Sequence, residues 1–399
     1  MEIDKETGEV KYAPKGKGSF WISKQSIEIL LDAKATALEI AAYLVMAKHT
    51  DGGGMFSTSG IKAIHTATGV SHPVIQRAVD RLSQMAVSGK VKEPALIYKA
   101  DEWQTLTKTV LPPAPFERAE VRYVVNDYKA KPEDKVWISN ELVTGYGKFT
   151  QPLKKLKMCG DAAARYLLIG YRESNLEQYG GVNPKAFHCQ YEISKVKELN
   201  GYDIWHGEAQ GNVGSGDWAK AAGFQNKLDV INNMKQGKDK DEAKSKAISE
   251  ASDVFHKAIK ALDNAGLIYQ MVSVMDREAG NAEAQVIYEL DAKSKHGYKP
   301  AGEEGLGGET ARLSNIYGNP VTDSMGRFYG RYAAIVPAGE PHIVGIYRLR
   351  FRVSNSKNHG VATAWARIYQ GQREAKEWLN DLSEKAEKAM NPKEKEPFL

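Results

Sequence analysis

Cysteine is almost absent: 399 residues carry two, Cys159 and Cys189. A pair that sparse builds no disulfide framework, so a reducing compartment is expected. Long apolar runs are missing as well, and none approaches the roughly 20 residues that cross a bilayer as a helix. The first residues, Met1-Glu2-Ile3-Asp4-Lys5-Glu6, are acidic and polar where an export signal is basic and then apolar. A cytoplasmic protein with no membrane partner is the expectation.

Several catalytic motifs are missing too. There is no Gly-x-x-x-x-Gly-Lys-Ser/Thr phosphate loop; the glycine-rich stretch 302–310 carries Glu303, Glu304 and Glu309 where a phosphate would sit. No Gly-x-Ser-x-Gly elbow is present. His188-Cys189 has no second histidine or cysteine pair at zinc spacing, which points to a structural thiol and to no metal or cofactor. One arrangement resembles the metal-dependent nucleases of the restriction type: Asp276 at the end of one strand and Asp291-Ala292-Lys293 at the end of the next. There two carboxylates would hold a divalent cation and the lysine would steady hydroxide or phosphate. Three common residues in a hairpin need no chemistry to explain them, so the chain is expected not to be an enzyme.

What is present is a globular composition with a mild cationic excess. Hydrophobic residues make up 42% and charged residues 26%, enough to bury cores in two or three domains, and the net charge of +5 permits a polyanionic partner. Two segments repeat one helical pattern. Ile75-Gln76-Arg77-Ala78-Val79-Asp80-Arg81-Leu82 and Phe255-His256-Lys257-Ala258-Ile259-Lys260-Ala261-Leu262 each place apolar residues at i, i+3, i+4 and i+7 and cations on the opposite face.

The first copy sits in a recognisable order. The spacing of Leu38, Ala41, Ala42 and Val45 predicts a helix from Thr36 to about His49, and Asp51-Gly52-Gly53-Gly54 breaks it. Ser57 is the expected cap of a second helix through Ile61 and Ile64, with Gly69 as its left-handed stop. Ser71-His72-Pro73 then caps the helix of the repeat, with proline in the first turn. Residues 36–98 in this order resemble bacterial winged helix-turn-helix DNA-binding proteins, whose third helix lies in the major groove. The resemblance implies base contacts from Ser71, His72, Gln76 and Arg77, and phosphate contacts from Lys62 and Arg81. It implies a wing over Val91–Tyr98, with Lys90, Lys92 and Lys99 at the backbone. Between Ser57 and Lys99 six cations stand against two carboxylates, a denser positive charge than the chain average.

The second copy is followed by Asn264-Ala265-Gly266 and by apolar runs Met271–Met275 and Gln285–Leu290 around a polar tip, which predicts a hairpin wing. His256, Lys257 and Lys260 would face DNA. Near the end, Tyr347–Val353 alternates, so Arg348, Arg350 and Arg352 are expected in one cationic row that needs an acidic strand or a polyanion opposite. A long helix from Ala362 to about Ala389 suits docking or a homodimer contact.

The expectation is an α+β protein of tandem winged helix-turn-helix units with a C-terminal strand and helix extension. Its parts are a lead-in at 1–20, a winged helix at 21–110 and a Pro-rich linker at 111–118. A second winged-helix-like domain at 119–295, with a charged insert at 235–247, and the extension at 296–399 complete it. Tandem units of this kind resemble plasmid replication initiators in architecture. The reading is a sequence-specific binder of double-stranded DNA that regulates transcription. Its alternatives are a replication initiator of a mobile element, a protein-binding scaffold and a nuclease.

Overall fold

A computed structural model of the chain describes residues 2–3, 10–11, 18–50, 56–57, 59–85, 96–99, 123–125, 130–199, 201–214, 218–234, 237–278, 281, 283–293, 331–337, 339–353 and 359–390. These form an α+β protein in two units: the described residues of 1–173, 216–268 and 349–355, and those of 174–215, 269–348 and 356–399. Among the described residues no helix is long and apolar enough to cross a membrane.

The first unit is mainly helical. After a short antiparallel pair, β1 (Glu2–Ile3) with β2 (Val10–Lys11), β3 (Ser19–Ser23) runs into α1 (Lys24–Asp32), and Ser23 Oγ accepts the Ser26 N–H at 3.0 Å. Next, α2 (Ala37–Lys48) begins with a capping box: Thr36 Oγ1 accepts the Glu39 N–H and Glu39 Oε2 accepts the Thr36 N–H, 3.3 and 2.7 Å. Apolar around most of its circumference, α2 is buried along its length, and that makes it the centre of the unit. Then follow β4 (Phe56–Ser57), α3 (Ile61–Thr68), α4 (His72–Leu82), β5 (Ile97–Lys99) and β6 (Tyr123–Val125). The three strands form one antiparallel sheet in the order β4-β6-β5.

Strand β7 (Lys135–Ser139) returns to pair with β3, Trp21 opposite Trp137. The rest of the unit is α5 (Glu141–Thr144), α6 (Pro152–Cys159), α7 (Asp161–Arg172), α8 (Trp218–Ala222), α9 (Gln225–Asn232) and α10 (Lys238–Asn264). Arg165 of α7 is buried because its guanidinium replaces water with backbone: Nε donates to the Ala221 carbonyl at 2.6 Å and Nη1 to that of Ala35 at 3.0 Å. One side chain thus ties the α1–α2 turn and α8 to α7.

Two expectations change here. The strands β6 and β7 fall within 119–295, the span expected to form a second domain, but belong to the first unit, because their pairing partners lie N-terminal to the Pro-rich stretch. The linker 111–118 itself lies outside the described residues. Most of the charged insert 235–247 is helix: α10 begins at Lys238, and its first turns carry Asp239 and Asp241, which suit the positive end of the helix dipole.

The second unit is a six-stranded sheet with one long helix. It contains the pair β8 (Ser174–Asn175) and β9 (Gly181–Val182), then β10 (Phe187–Leu199), β11 (Tyr202–Gly214), β12 (Ile268–Met275), β13 (Val286–Lys293), β14 (Arg331–Val336), β15 (His342–Leu349) and α11 (His359–Met390). The sheet order is β13-β12-β15-β10-β11-β14. Ala375, Leu379 and Leu382 of α11 pack against Val272, Val274, Tyr288, Leu290, Ile335 and Ile343, and Trp365 and Ile368 against Met275, Val286, Val344 and Ile346. Each leucine so buried contributes about 1.5–3 kcal/mol. Gly371 permits the close approach, since a β-carbon there would collide with the Ile287 carbonyl oxygen.

The hairpin β12–β13 forms, but it is no wing. Every residue of β12 is buried, and the strand lies inside the sheet with β13 on one side and β15 on the other. The second winged helix therefore does not assemble as expected: α10 ends the first unit's helices, while the hairpin behind it is core of the second. Likewise β14, β15 and α11 are not an extension but part of that sheet and its cover.

Candidate nucleic-acid interface

The turn between α3 and α4 is built from short-range chemistry. Gly60, not Ser57, is the N-cap of α3; Ser57 is buried in β4, where its hydroxyl donates to the Met46 carbonyl at 2.8 Å. Gly69 ends α3 at φ +68, a conformation that costs a residue with a β-carbon, and its N–H donates to the His65 carbonyl at 2.7 Å. His65 Nδ1 bonds the Val70 carbonyl at 2.7 Å, and the His65 ring stands edge-on to His72 with centroids 5.0 Å apart. Ser71 caps α4 by backbone geometry, with no side-chain cap hydrogen bond, and Pro73 fills the first turn.

Helix α4 divides as its sequence pattern requires. Ile75, Ala78, Val79 and Leu82 are buried; Ser71, His72, Pro73, Arg77 and Arg81 are exposed. Gln76 is half-buried and its amide donates to Asp80 Oδ1 at 2.8 Å, an i,i+4 bond within the helix. Lys62 on α3 and Lys99 at the end of β5 are exposed; Lys90 and Lys92 lie outside the described residues.

Arg81 has a different occupation from the one expected. Its Nη1 pairs with Glu39 Oε1 at 3.1 Å and its Nη2 donates to the Ala33 carbonyl at 3.2 Å, so it straps the end of α4 to the start of α2. The Arg81 side chain is 48% exposed, whereas that of Glu39 is 5% exposed. Removing the arginine leaves a buried carboxylate without its cation, so Arg81→Ala should lower stability by about 1–2 kcal/mol. Denaturant unfolding measures this. Unchanged stability together with weaker DNA binding would instead return Arg81 to the phosphate contacts.

A cleft of about 460 Å³ opens behind α3, lined by Lys48, His49, Ala63, Thr66, Ala67, Val143, Thr144 and Gln151. Burial pulls both the Lys48 ammonium and the His49 imidazolium below their ordinary pKa values; for His49 the Val45 carbonyl, 2.8 Å from Nδ1, opposes the shift and Lys48 adds to it. With the folded value depressed, the unfolded chain takes up the His49 proton first. The contribution is complete above pH 6.5, the unfolded value, and is lost as pH falls from there toward the folded one. The melting temperature should therefore drop between pH 7.5 and 5.5, and less so in His49→Gln. An identical drop in the variant would show that other groups carry it.

The second basic helix is present, in the same unit as the first. Phe255, Ala258, Ile259 and Leu262 of α10 are buried, Phe255 edge-on to Tyr166 at 5.1 Å, and Lys257 and Lys260 are exposed. His256 is half-buried beside the Phe255 ring, 5.8 Å between centroids.

The cationic row at Arg348, Arg350 and Arg352 does not form. Strand β15 is buried on both faces and ends at Leu349, so the alternation read from the sequence does not mark an exposed face. Arg348 is 1% exposed, pairs with Glu289 and lies 4.7 Å from the Trp365 ring centroid. It is core, out of reach of a polyanion. Arg350 stacks 4.4 Å from the Phe149 centroid and its Nε donates to the Gly266 carbonyl at 3.2 Å; Arg352 is half-buried beyond the strand end.

The nuclease arrangement fails on register. Asp276 closes the turn end of the hairpin, its Oδ1 accepting the Gln285 N–H at 2.6 Å, whereas Asp291 pairs with Val272 six residues further along β13. Two bulges set those six residues of β13 against only four of β12, and at about 3.3 Å per residue the two backbones stand roughly 14 Å apart, still too far for two aspartates to share a cation. Elsewhere in that unit Glu192, Ser194, His206 and Glu208 line a cleft of about 320 Å³ on β10 and β11, with Glu192 opposite Glu208 and Ser194 opposite His206. Among the described residues no group of three or more histidine, cysteine or carboxylate side chains is placed to hold a metal.

One basic element near this turn was not among the expected contacts. Lys154 of α6 lies against Gly69, its Cδ and Cε 3.7 Å from where a β-carbon would stand. Three lysines in four residues after a proline, Lys154, Lys155 and Lys157, were the available signal. No family model, curated protein or solved structure matches the chain.

Proposed function

We propose that residues 37–125 are a winged helix and that the protein binds double-stranded DNA through it, with α4 in the major groove. The observation that carries this reading is the order α2-β4-α3-α4-β5-β6 with β6 between β4 and β5 in the sheet. It leaves the N-terminal half of α4 exposed at Ser71, His72 and Arg77. Arginine can bond guanine at O6 and N7 together, so Arg77 is the principal reader. Lys62 and Lys99 meet the backbone, which supplies affinity without sequence information. Lys257 and Lys260 add cations to the same unit. Sequence-specific control of transcription is the role this reading supports best.

Selection from a random-sequence duplex library tests it. A recovered consensus, with affinity that falls as salt rises, is the expected result. Failure of the full chain to retain any duplex at low salt would overturn the reading in favour of a protein-binding scaffold. The genomic positions of the consensus then separate regulation from replication initiation: promoters in one case, clustered repeats at an origin in the other.

A further inference from the structure

We propose that α6 is a backbone clamp: Lys154 and Lys157 grip the phosphate strand that borders the groove occupied by α4, extending the DNA contact beyond the winged helix. The inference rests on the DNA reading above and adds a second element to it.

Position comes first. Lys154 Nζ lies 4.0 Å from the β-carbon position of Gly69, the left-handed residue two places before the cap of α4. The major groove is about 12 Å wide, so an element flanking the start of a helix seated in it stands over the phosphate ridge rather than over the bases. That is where a lysine serves and a base reader does not.

Anchoring comes second. Pro152, Leu153 and Leu156 are buried, and Cys159 Sγ at the far end lies 3.4 Å from the Ala261 carbonyl of α10. Burial raises the Cys159 thiol to about 11, so it acts as a neutral packing group. The helix is therefore fixed at both ends within the first unit, and little ordering of backbone remains to oppose binding. It reaches from the α3–α4 turn to the helix that carries Lys257 and Lys260.

Charge comes third. Lys154 and Lys157 are exposed, three residues apart on one face, and neither makes an ion pair among the described residues. The segment Pro152–Cys159 contains no carboxylate. Like charges at this spacing repel, and a polyanion relieves that repulsion.

The test compares the full chain with K154Q/K157Q on two duplexes of equal length, the selected consensus and a random sequence, from 50 to 200 mM salt. Each phosphate contact adds about 0.9 to the salt slope, so the double variant should lose nearly two from it and bind at least ten-fold more weakly at 0.1 M salt. The loss should be equal on both duplexes, with sequence preference unchanged. K154R/K157R should restore the slope. K244Q, which removes an exposed lysine early in α10, should leave it alone. An unchanged slope in K154Q/K157Q, with consensus preference intact in the wild type, overturns the clamp and leaves the winged-helix reading standing. No binding by the wild type overturns both.

Discussion

Arg348→Leu should cost the protein about 3–5 kcal/mol, the largest loss expected of any single substitution considered for the second unit. Arg348 is the largest fully buried side chain of the described residues, at 1% exposure, and its partner Glu289 is buried as well. Deleting the guanidinium strands a carboxylate inside the sheet, where neither water nor salt can reach it. The Trp365 ring, 4.7 Å from the guanidinium carbon, loses its cation at the same time. Glu289→Leu should cost a similar amount by the reverse logic. The double variant R348L/E289L should recover much of the loss, because two apolar side chains need no charge compensation. Urea unfolding of the three variants measures all of this. A single-variant loss below about 1 kcal/mol, or a double variant as unstable as the two losses added, would mean that the pair is not the principal interaction of Arg348.

Arg77→Ala should erase preference at one base pair of the consensus while barely touching stability. A bidentate arginine–guanine contact discriminates by about 1–3 kcal/mol, which is roughly five- to 150-fold between the right and the wrong base. Arg77 is exposed on α4 and makes no ion pair among the described residues, so its removal leaves the helix packing of Ile75, Ala78, Val79 and Leu82 intact. Affinity for the consensus should fall by that factor, and affinity for random duplex by no more than the loss of one cation. Competition binding with the two duplexes reads the difference. Equal losses on both would sink the groove reading and leave Arg77 as one more phosphate contact.

The contrast between these two arginines states what each level of description decides. Both stand in regular patterns, Arg77 in a 3.6-residue helical period and Arg348 in a two-residue alternation. The helical pattern was legible because one helix meets its surroundings on one stripe, and α4 buries the stripe that its apolar residues mark. The strand pattern misled because a central strand is covered on both faces, and nothing local says whether a neighbour supplies Glu289 or solvent. Arg81 shows the same limit within the winged-helix segment: its helical position is local, but its pairing with Glu39, 42 residues earlier, is not.

By itself the sequence determined α2 and α4, where each begins, and the glycine turn between α3 and α4. Thr36 with Glu39, Gly69 at positive φ and Ser71 before Pro73 act through bonds that span three or four residues, so they are written in adjacent letters. Only the tertiary structure decided that 123–125 completes a sheet begun at 56–57, that the hairpin after α10 is core rather than wing, and that α6 sets Lys154 beside Gly69. Those outcomes depend on strand pairing and on the burial of both faces of a sheet. Such contacts are chosen by the whole chain at once, since a partner far along it has no local period to announce it.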